Sequence, residues 1–322
     1  MLFFLYGEDS FRSLEKVLEI KKKFQLNDKS GAGLSSFDAL DEKNISPKIE
    51  RALKNTGLFS SKKLLILKNS ISQLPSEEQA KILAFLKKNI TQLKDDLDSV
   101  IIFWEKENPR KNNALFKFLL AEAKKQSFEK LVGSKLDEWV LRKIKTSGGA
   151  GISRPALEKL IIYTDGNTAS ISQEIEKLIS YEDGEIIDEK AVDLLLESQS
   201  GSDIFKTIEA LASNNKKLAL KLLRAHIDRG DDLFYLFSMF IYQFRNLLRI
   251  ASLQENGIFN EFEIAKLAKL HPFVVKKSAS QARNFGEKKL IAIHKKLGIL
   301  DTKIKTGKID IKLALDKFIV EL

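Results

Sequence analysis

Short apolar runs in the first 132 residues constrain the fold more than any other feature of the chain. They recur at residues 2–6, around 34–37, at 64–67 and at 100–104, with a weaker run near 128–132. Each run is apolar at consecutive rather than alternate positions, which suits strands buried on both faces of a parallel sheet. The sequence therefore predicts an α/β domain with a parallel sheet of about five strands.

Helix starts fall between these runs. Ser46 precedes Pro47, which places a capping side chain before a proline at the first helical position. Ser76 and Gln79 have the spacing of a capping box. Helices that begin at these points would alternate with the strands and give a three-layer α/β domain.

From Ser134 onward the sequence predicts helices and no strand. Ser134 and Asp137 have the spacing of a helix cap. Between Leu233 and Ala251, apolar residues recur every three or four positions and form one broad stripe, so this helix must pack against a large surface. The polar residues 199–202 are interpreted as a linker between two helical regions.

Composition narrows the class of protein. A chain of 322 residues exceeds the usual size of a single core, so two or three domains are expected. The chain has no cysteine, which excludes disulfides, thiolate metal sites and thiol nucleophiles, and its three histidines lie far apart. Neither a metal site nor a redox site is expected.

No membrane or export segment is expected either. The most apolar stretch, residues 233–244, is too short to span a bilayer and is followed by Arg245, so it is interpreted as a core helix. The N-terminus has no basic region followed by a cleavage site. These features predict a cytoplasmic protein without a membrane partner.

The net charge of +10 makes an anionic partner such as nucleic acid plausible. The excess is concentrated near the end, because residues 202–322 carry 22 basic and 13 acidic side chains. A solvated basic face would give the same count. No aromatic pattern suited to stacking on bases accompanies these lysines and arginines, and both interpretations stay open.

The first strand run ends at Gly7, where a nucleotide-binding protein would place its phosphate loop. Such a loop needs a second glycine and a lysine followed by serine or threonine, whereas Glu8 and Asp9 come next here. The third run ends at Asn69 without the acidic residue that would organise Mg²⁺. Glu105, after the fourth run, is interpreted as a structural or solvated carboxylate. The pattern favours a binding or mechanical role over nucleotide hydrolysis.

Four segments resemble the delta subunit of the bacterial DNA polymerase III clamp loader. They are residues 6–11 (YGEDSF), 57–69 (GLFSSKKLLILKN), 271–277 (HPFVVKK) and 300–307 (LDTKIKTG). The resemblance extends over essentially the whole chain, because the segments occur in the family's order and the predicted domains agree.

The resemblance implies a three-part architecture. Residues 1–133 would form an AAA+-like domain without a phosphate loop, residues 134–201 a helical lid domain and residues 202–322 a helical collar domain for oligomerisation. The family also implies that this subunit uses no cofactor or metal and performs no catalysis itself, although the complex is classed as a DNA-directed DNA polymerase, a nucleotidyltransferase.

The resemblance further implies partners and a site. The family's delta subunit binds the sliding clamp (the beta subunit), opens its ring, and joins gamma or tau and delta prime subunits in a hetero-pentamer that acts on primed DNA. The clamp-binding residues of the family match Leu58 and Phe59, with Gly57, Ser60 and Ser61 as possible flanking contacts. Without the resemblance, this pair would be interpreted as apolar residues at the edge of a strand.

Two alternatives belong to other functional classes. An active AAA+ ATPase of a clamp loader or DNA-repair motor would need a phosphate-loop lysine, which the sequence does not place after Gly7. A free-standing basic DNA-binding protein would bind DNA tightly by itself, with a strong dependence on salt.

Overall fold

The structure, a computed structural model, describes residues 1–28, 32–54, 62–96, 98–196 and 201–322. Within these ranges the chain divides into two compact units, Met1–Lys130 and Leu131–Leu322.

The first unit is built on a five-stranded sheet in which all neighbouring strands are parallel, and the predicted fold class is confirmed. The strands are β1 (Leu2–Tyr6), β2 (Leu34–Asp38), β3 (Lys63–Lys68), β4 (Ser99–Trp104) and β5 (Lys124–Ser127). Their order across the sheet is β2-β3-β4-β1-β5. The central strands β3, β4 and β1 coincide with three of the predicted apolar runs.

The position predicted for the fifth strand is wrong. It was expected near residues 128–132, and β5 lies immediately before them at Lys124–Ser127. All four of its residues are exposed and polar, so no apolar run marks it. Charged side chains are common on edge strands because they discourage pairing with other chains.

The described residues of the first unit also form four helices. They are α1 (Ser10–Asn27), α2 (Ser46–Lys54), α3 (Ser76–Asp95) and α4 (Ala114–Glu122). α2 begins at Ser46, as the sequence predicts. α3 begins at Ser76, but the predicted capping box is absent because Pro75 occupies the cap position without a side-chain bond. Gln79 instead donates from Nε2 to the carbonyls of Ile71 and Leu74.

Both faces of the sheet are buried. Along β3, Leu65 and Leu67 belong to one hydrophobic cluster, together with Phe4. Leu64 and Ile66 belong to a second cluster. Since alternate side chains of a strand point to opposite faces, the two clusters lie on opposite sides of the sheet, as consecutive apolar positions require.

The second unit is helical. Its helices are α5 (Ser134–Thr146), α6 (Arg154–Tyr163), α7 (Thr168–Glu182), α8 (Glu189–Leu196), α9 (Gly201–Ala212), α10 (Lys216–Asp228), α11 (Leu233–Glu255), α12 (Glu261–Ala268), α13 (Pro272–Phe285), α14 (Glu287–Lys305) and α15 (Ile311–Val320). In the described part of this unit, β-pairing is limited to an isolated bridge between Ile152 and Ile187.

Two hydrophobic clusters occupy the second unit. The buried members of one lie between Leu136 and Leu196, and those of the other between Ile204 and Ile319. The clusters fall on either side of the predicted boundary between lid and collar, and the division into these two domains stays a prediction. The predicted linker is wrong at Gly201 and Ser202, because α9 begins at Gly201; residues 199 and 200 lie outside the described ranges.

α11 is the central helix of the larger cluster. It contacts α9, α12, α13, α14 and α15, and the predicted stripe supplies its buried side chains, among them Phe240, Phe244 and Leu247. The large packing surface expected from the sequence is therefore made by the surrounding helices. Across the described ranges, no helix has the length and apolarity needed to cross a membrane.

Candidate functional site

The predicted clamp-binding segment lies outside the described residues. This applies to Leu58 and Phe59 and to the flanking Gly57, Ser60 and Ser61. The structure does describe the two elements that the segment connects, α2 before it and β3 after it.

Charged side chains bind both ends of α2. At its start, the carboxylate oxygen Oε1 of Glu78 accepts a hydrogen bond of 2.6 Å from the amide of Ser46. At its end, the Lys63 ammonium donates to the carbonyl of Leu53. Burial opposes ionisation of Glu78, but the hydrogen bond from Ser46 and its other polar contacts outweigh burial, so the pKa of Glu78 lies below its ordinary value.

The position of a phosphate loop is filled by the chain's own backbone. Gly7 has a φ of 139°, and a Cβ atom added to it would lie 2.3 Å from the carbonyl oxygen of Phe128. The amide of Asp9 donates to that same oxygen at 2.9 Å. A backbone that approaches this closely requires glycine at position 7.

The first turn of α1 is capped by an internal carboxylate. Asp9 is buried, and its side chain accepts from the backbone amide of Arg12 at 3.1 Å and from the Arg12 guanidinium at 3.3 Å. The same guanidinium donates to the carbonyl of Glu129 at 3.2 Å. A helix N-terminus attracts anions, and here Asp9 takes the place that a phosphate group would need.

Glu105 is a buried structural carboxylate. It follows β4, is fully buried, and accepts from the amides of Ile71 and Ser72 at 2.7 and 3.1 Å and from the Ser72 hydroxyl at 2.7 Å. Burial raises the pKa of Glu105 to about 7. These bonds hold the turn between β3 and α3, and the interpretation of Glu105 as a solvated group is excluded.

Two of the three histidines, His226 and His271, have structural partners, and these are separate from each other. The Nδ1 atom of His226 lies 2.7 Å from the Asp231 carboxylate. His271 caps α13, because its Nδ1 accepts from the amide of Phe273 at 3.2 Å. In the ranges that the structure describes, no group of three or more histidine, aspartate or glutamate side chains could hold a metal ion.

Asp137 has a different role from the one predicted. The cap position of α5 is Gly133, without a side-chain bond, whereas the Asp137 carboxylate lies 3.0 Å from Nε2 of His271 and 2.9 Å from the Arg154 guanidinium. Burial opposes ionisation, but these two bonds outweigh it and lower the pKa of Asp137. The sequence does not reveal this contact, because Asp137 and His271 are separated by 134 positions in the chain.

The fold and this site define an α/β protein with a parallel five-stranded sheet, in which the chain itself occupies the position where a phosphate loop would follow the first strand. A family model described as "DNA polymerase III, delta subunit" matches residues 3–129, and one described as "DNA polymerase III delta subunit, C-terminal domain" matches residues 201–322. The chain belongs to the family of DNA polymerase III delta subunits.

Individual proteins of known identity agree with this assignment. The chain is 26% identical over 330 residues to the DNA polymerase III subunit delta of Bacillus subtilis (strain 168), covering 100% of this chain and 92% of the relative. A solved structure of the Bacillus subtilis DNA clamp loader delta protein is similar in fold, with a TM-score of 0.63 and 23% identity. That match covers 99% of this chain and 94% of the other.

Proposed function

We propose that this chain binds the sliding clamp, the beta subunit, and opens its ring so that an ATP-driven loader can place the clamp on primed DNA during replication. The chain acts as a binding subunit without intrinsic catalysis, in the cytoplasm. Its membership of the delta family supports the choice of the clamp as the partner.

The observation that carries this proposal is the packing at Gly7. The Phe128 carbonyl oxygen lies only 2.3 Å from where a Cβ of residue 7 would be, and Asp9 caps α1. A nucleotide-hydrolysing member of the class needs free amides and a lysine at this point to hold phosphates. Because the chain's own backbone occupies the position of the phosphates, we expect the protein to act by binding a partner. This disfavours the alternative of an active ATPase.

The contact with the clamp is assigned to Leu58 and Phe59. A leucine and a phenylalanine that enter pockets of a partner contribute roughly 1.5 to 3 kcal/mol each, which is enough to anchor an interface. Gly57, Ser60 and Ser61 would then be peripheral contacts.

Ring opening follows from differential affinity. A ligand shifts a conformational equilibrium only by binding one state more tightly than the other. The chain therefore opens the ring to the extent that it binds the opened or distorted clamp more tightly than the closed one. Gamma or tau subunits and delta prime would complete a hetero-pentamer and supply ATP hydrolysis.

The test is a binding measurement between the isolated full-length chain and the clamp. Replacing both Leu58 and Phe59 by alanine should weaken binding by at least about 100-fold, because two buried apolar anchors are lost. The matched control replaces Leu26 and Leu40, which are 70% and 58% exposed, and should leave the affinity unchanged.

An unchanged affinity in the Leu58→Ala/Phe59→Ala variant would remove this site from the proposal. An ATPase assay of the same preparations tests the enzyme alternative. Turnover that is lost on replacement of Glu105 would contradict a purely binding role, provided that the variant is folded. Tight, strongly salt-dependent binding of DNA by the isolated chain would instead favour a free-standing DNA-binding protein.

A further inference from the structure

The histidine-proline pair at positions 271 and 272 has no part in the proposed contact with the clamp. His271 is the cap residue of α13, and Pro272 is the first residue of that helix. A proline suits this position because its nitrogen needs no hydrogen-bond partner there. Serine, aspartate or asparagine would cap the helix at least as well as histidine. Capping alone therefore does not explain the choice of histidine at position 271.

Both nitrogens of the His271 ring have partners. Nδ1 accepts from the amide of Phe273 at 3.2 Å, so the ring hydrogen lies on Nε2. Nε2 in turn donates to the carboxylate of Asp137 at 3.0 Å. The shorter side chains that usually cap helices have no atom at the position of Nε2. Histidine can thus cap α13 and bind a second helix at the same time.

The bond joins the two hydrophobic clusters of the second unit. Asp137 lies on α5, beside Leu136 of the smaller cluster, whose buried members end at Leu196. His271 begins α13, whose Val275 belongs to the larger cluster. The chain passes from the smaller cluster to the larger one between α8 and α9. Contacts across this boundary therefore set the position of one cluster relative to the other.

Each end of the bond is held by contacts within its own cluster. On the side of the smaller cluster, Arg154 at the start of α6 donates to the second oxygen of Asp137 at 2.9 Å. On the other side, His271 is 6% exposed, and its ring is oriented by the cap. A hydrogen bond to an ionised carboxylate is roughly twice as strong as one between neutral groups.

Other contacts lie along the same boundary. A Cβ atom added to Gly133, the residue before α5, would lie 3.6 Å from Cδ of Pro272. Tyr242 of α11 forms a hydrogen bond with Asp165, which lies between α6 and α7. The bond between His271 and Asp137 is thus part of a packed boundary, where a polar contact is stronger than in water.

We propose that the bond between His271 and Asp137 is a clasp that couples the two helical clusters. It holds α5–α8 to α9–α15, so that the two groups of helices move as one body. Because the same ring caps α13, a displacement of this helix is passed directly to α5. The clasp is a property of the second unit and does not depend on the binding of the clamp.

Hydrogen exchange of the full-length protein measures this coupling, because amides exchange when their helices open locally. His271→Asn keeps an acceptor that can cap α13 but has no atom to reach Asp137. The slowest amides of α5–α8 should exchange at least about tenfold faster in this variant, the effect of losing a hydrogen bond to a charged group. The amides of α13 should stay within about threefold of the wild type.

The matched control removes a cap elsewhere in the larger cluster. Asn260 caps α12 by accepting from the amides of Phe262 and Glu263. Asn260→Ala should speed exchange in α12 and leave α5–α8 unchanged. If Asn260→Ala speeds exchange in α5–α8 as much as His271→Asn does, the effect reflects general loosening of the larger cluster and the proposal is wrong.

A double-mutant cycle with Asp137→Ala identifies the route of the effect. Asp137→Ala should itself speed exchange in α5–α8, and His271→Asn should then add little to it. Equal effects of His271→Asn in both backgrounds would contradict the clasp, and so would an effect confined to α13. Should His271→Asn fail to fold, Asp137→Ala tests the same bond from its other end, and unchanged exchange in α5–α8 would overturn the proposal.

Discussion

Glu105 shows how one buried carboxylate can hold a turn. Its two oxygens accept from three donors, which belong to Ile71 and Ser72. A buried donor left without an acceptor destabilises a fold by about 1 to 3 kcal/mol, so these bonds fix the chain between β3 and α3. The residue occupies a position where a carboxylate could be taken for a catalytic acid, but its partners are the chain's own amides.

We expect Glu105→Gln to destabilise the protein by about 1 to 3 kcal/mol at pH 5. At this pH the wild-type side chain is largely neutral, because the pKa of Glu105 is raised to about 7. Glutamine keeps one oxygen acceptor, but the NH2 group in place of the second oxygen cannot accept from the Ser72 amide. Urea denaturation of both proteins at pH 5 measures the difference.

The same residue predicts a dependence on pH. The pKa of Glu105 rises from 4.5 in the unfolded chain to about 7 in the folded protein, so between these values the folded state keeps a proton that the unfolded state releases. The free energy of unfolding should fall as pH rises through this window and level off above it. Glu105→Gln lacks this contribution, so the gap between variant and wild type should narrow towards pH 8. A gap that widens would contradict the raised pKa.

Residues differ in how far the sequence reveals their roles. The absence of a phosphate loop after Gly7 can be inferred from neighbouring residues alone. That Phe128 fills the position cannot, because this contact joins residues from opposite ends of the first unit. The bond between Asp137 and His271 cannot be inferred from the sequence either, because it also joins residues that are far apart in the chain. Leu58 and Phe59 were identified only through the family resemblance and stay a prediction.

At the scale of elements, α11 organises the larger helical cluster. Phe244 lies at the centre of its buried stripe and is fully buried. Its ring makes edge-to-face contacts with Phe285 of α13 and Phe318 of α15, with centroid distances of 5.6 Å in both cases. One side chain thus joins three helices.

We expect Phe244→Ala to lower the free energy of unfolding by about 3 to 5 kcal/mol, because it removes a buried ring and leaves a cavity. Phe234→Ala, on the same helix, should change it by less than about 0.5 kcal/mol, since Phe234 is 61% exposed. Urea denaturation followed by circular dichroism measures both. Similar effects for the two variants would mean that the stripe does not face the core.

Hydrophobic periodicity predicts the helices and strands more accurately than the capping residues predicted at helix N-termini. The stripe of α11 and the runs of β1, β3 and β4 were confirmed, because burial imposes a repeating pattern on the sequence. The caps at Ser76 and Ser134 were wrong, because other residues occupy the cap positions and Gln79 and Asp137 bind elsewhere. β5 was misplaced because an exposed edge strand needs no apolar residues.

At the scale of the whole molecule, the chain contains separate cores. The clusters of the sheet draw on residues of Met1–Lys130, and the helical clusters on residues of Leu131–Leu322. A unit with its own hydrophobic core can fold alone in principle. The sequence predicts a strand-rich part and a helical part with a boundary at residue 133, because the hydrophobic pattern changes there, and this boundary stays a prediction.

We therefore expect residues 1–130 and 131–322, produced as two separate chains, each to fold and to unfold cooperatively in urea. The first should bind the clamp with an affinity close to that of the full chain, since it contains Leu58 and Phe59, and the second should not bind it. Circular dichroism establishes folding, and the clamp-binding assay is then run on both. Clamp binding by 131–322 alone would contradict the assigned site, and an unfolded 1–130 would show that its core depends on the rest of the chain.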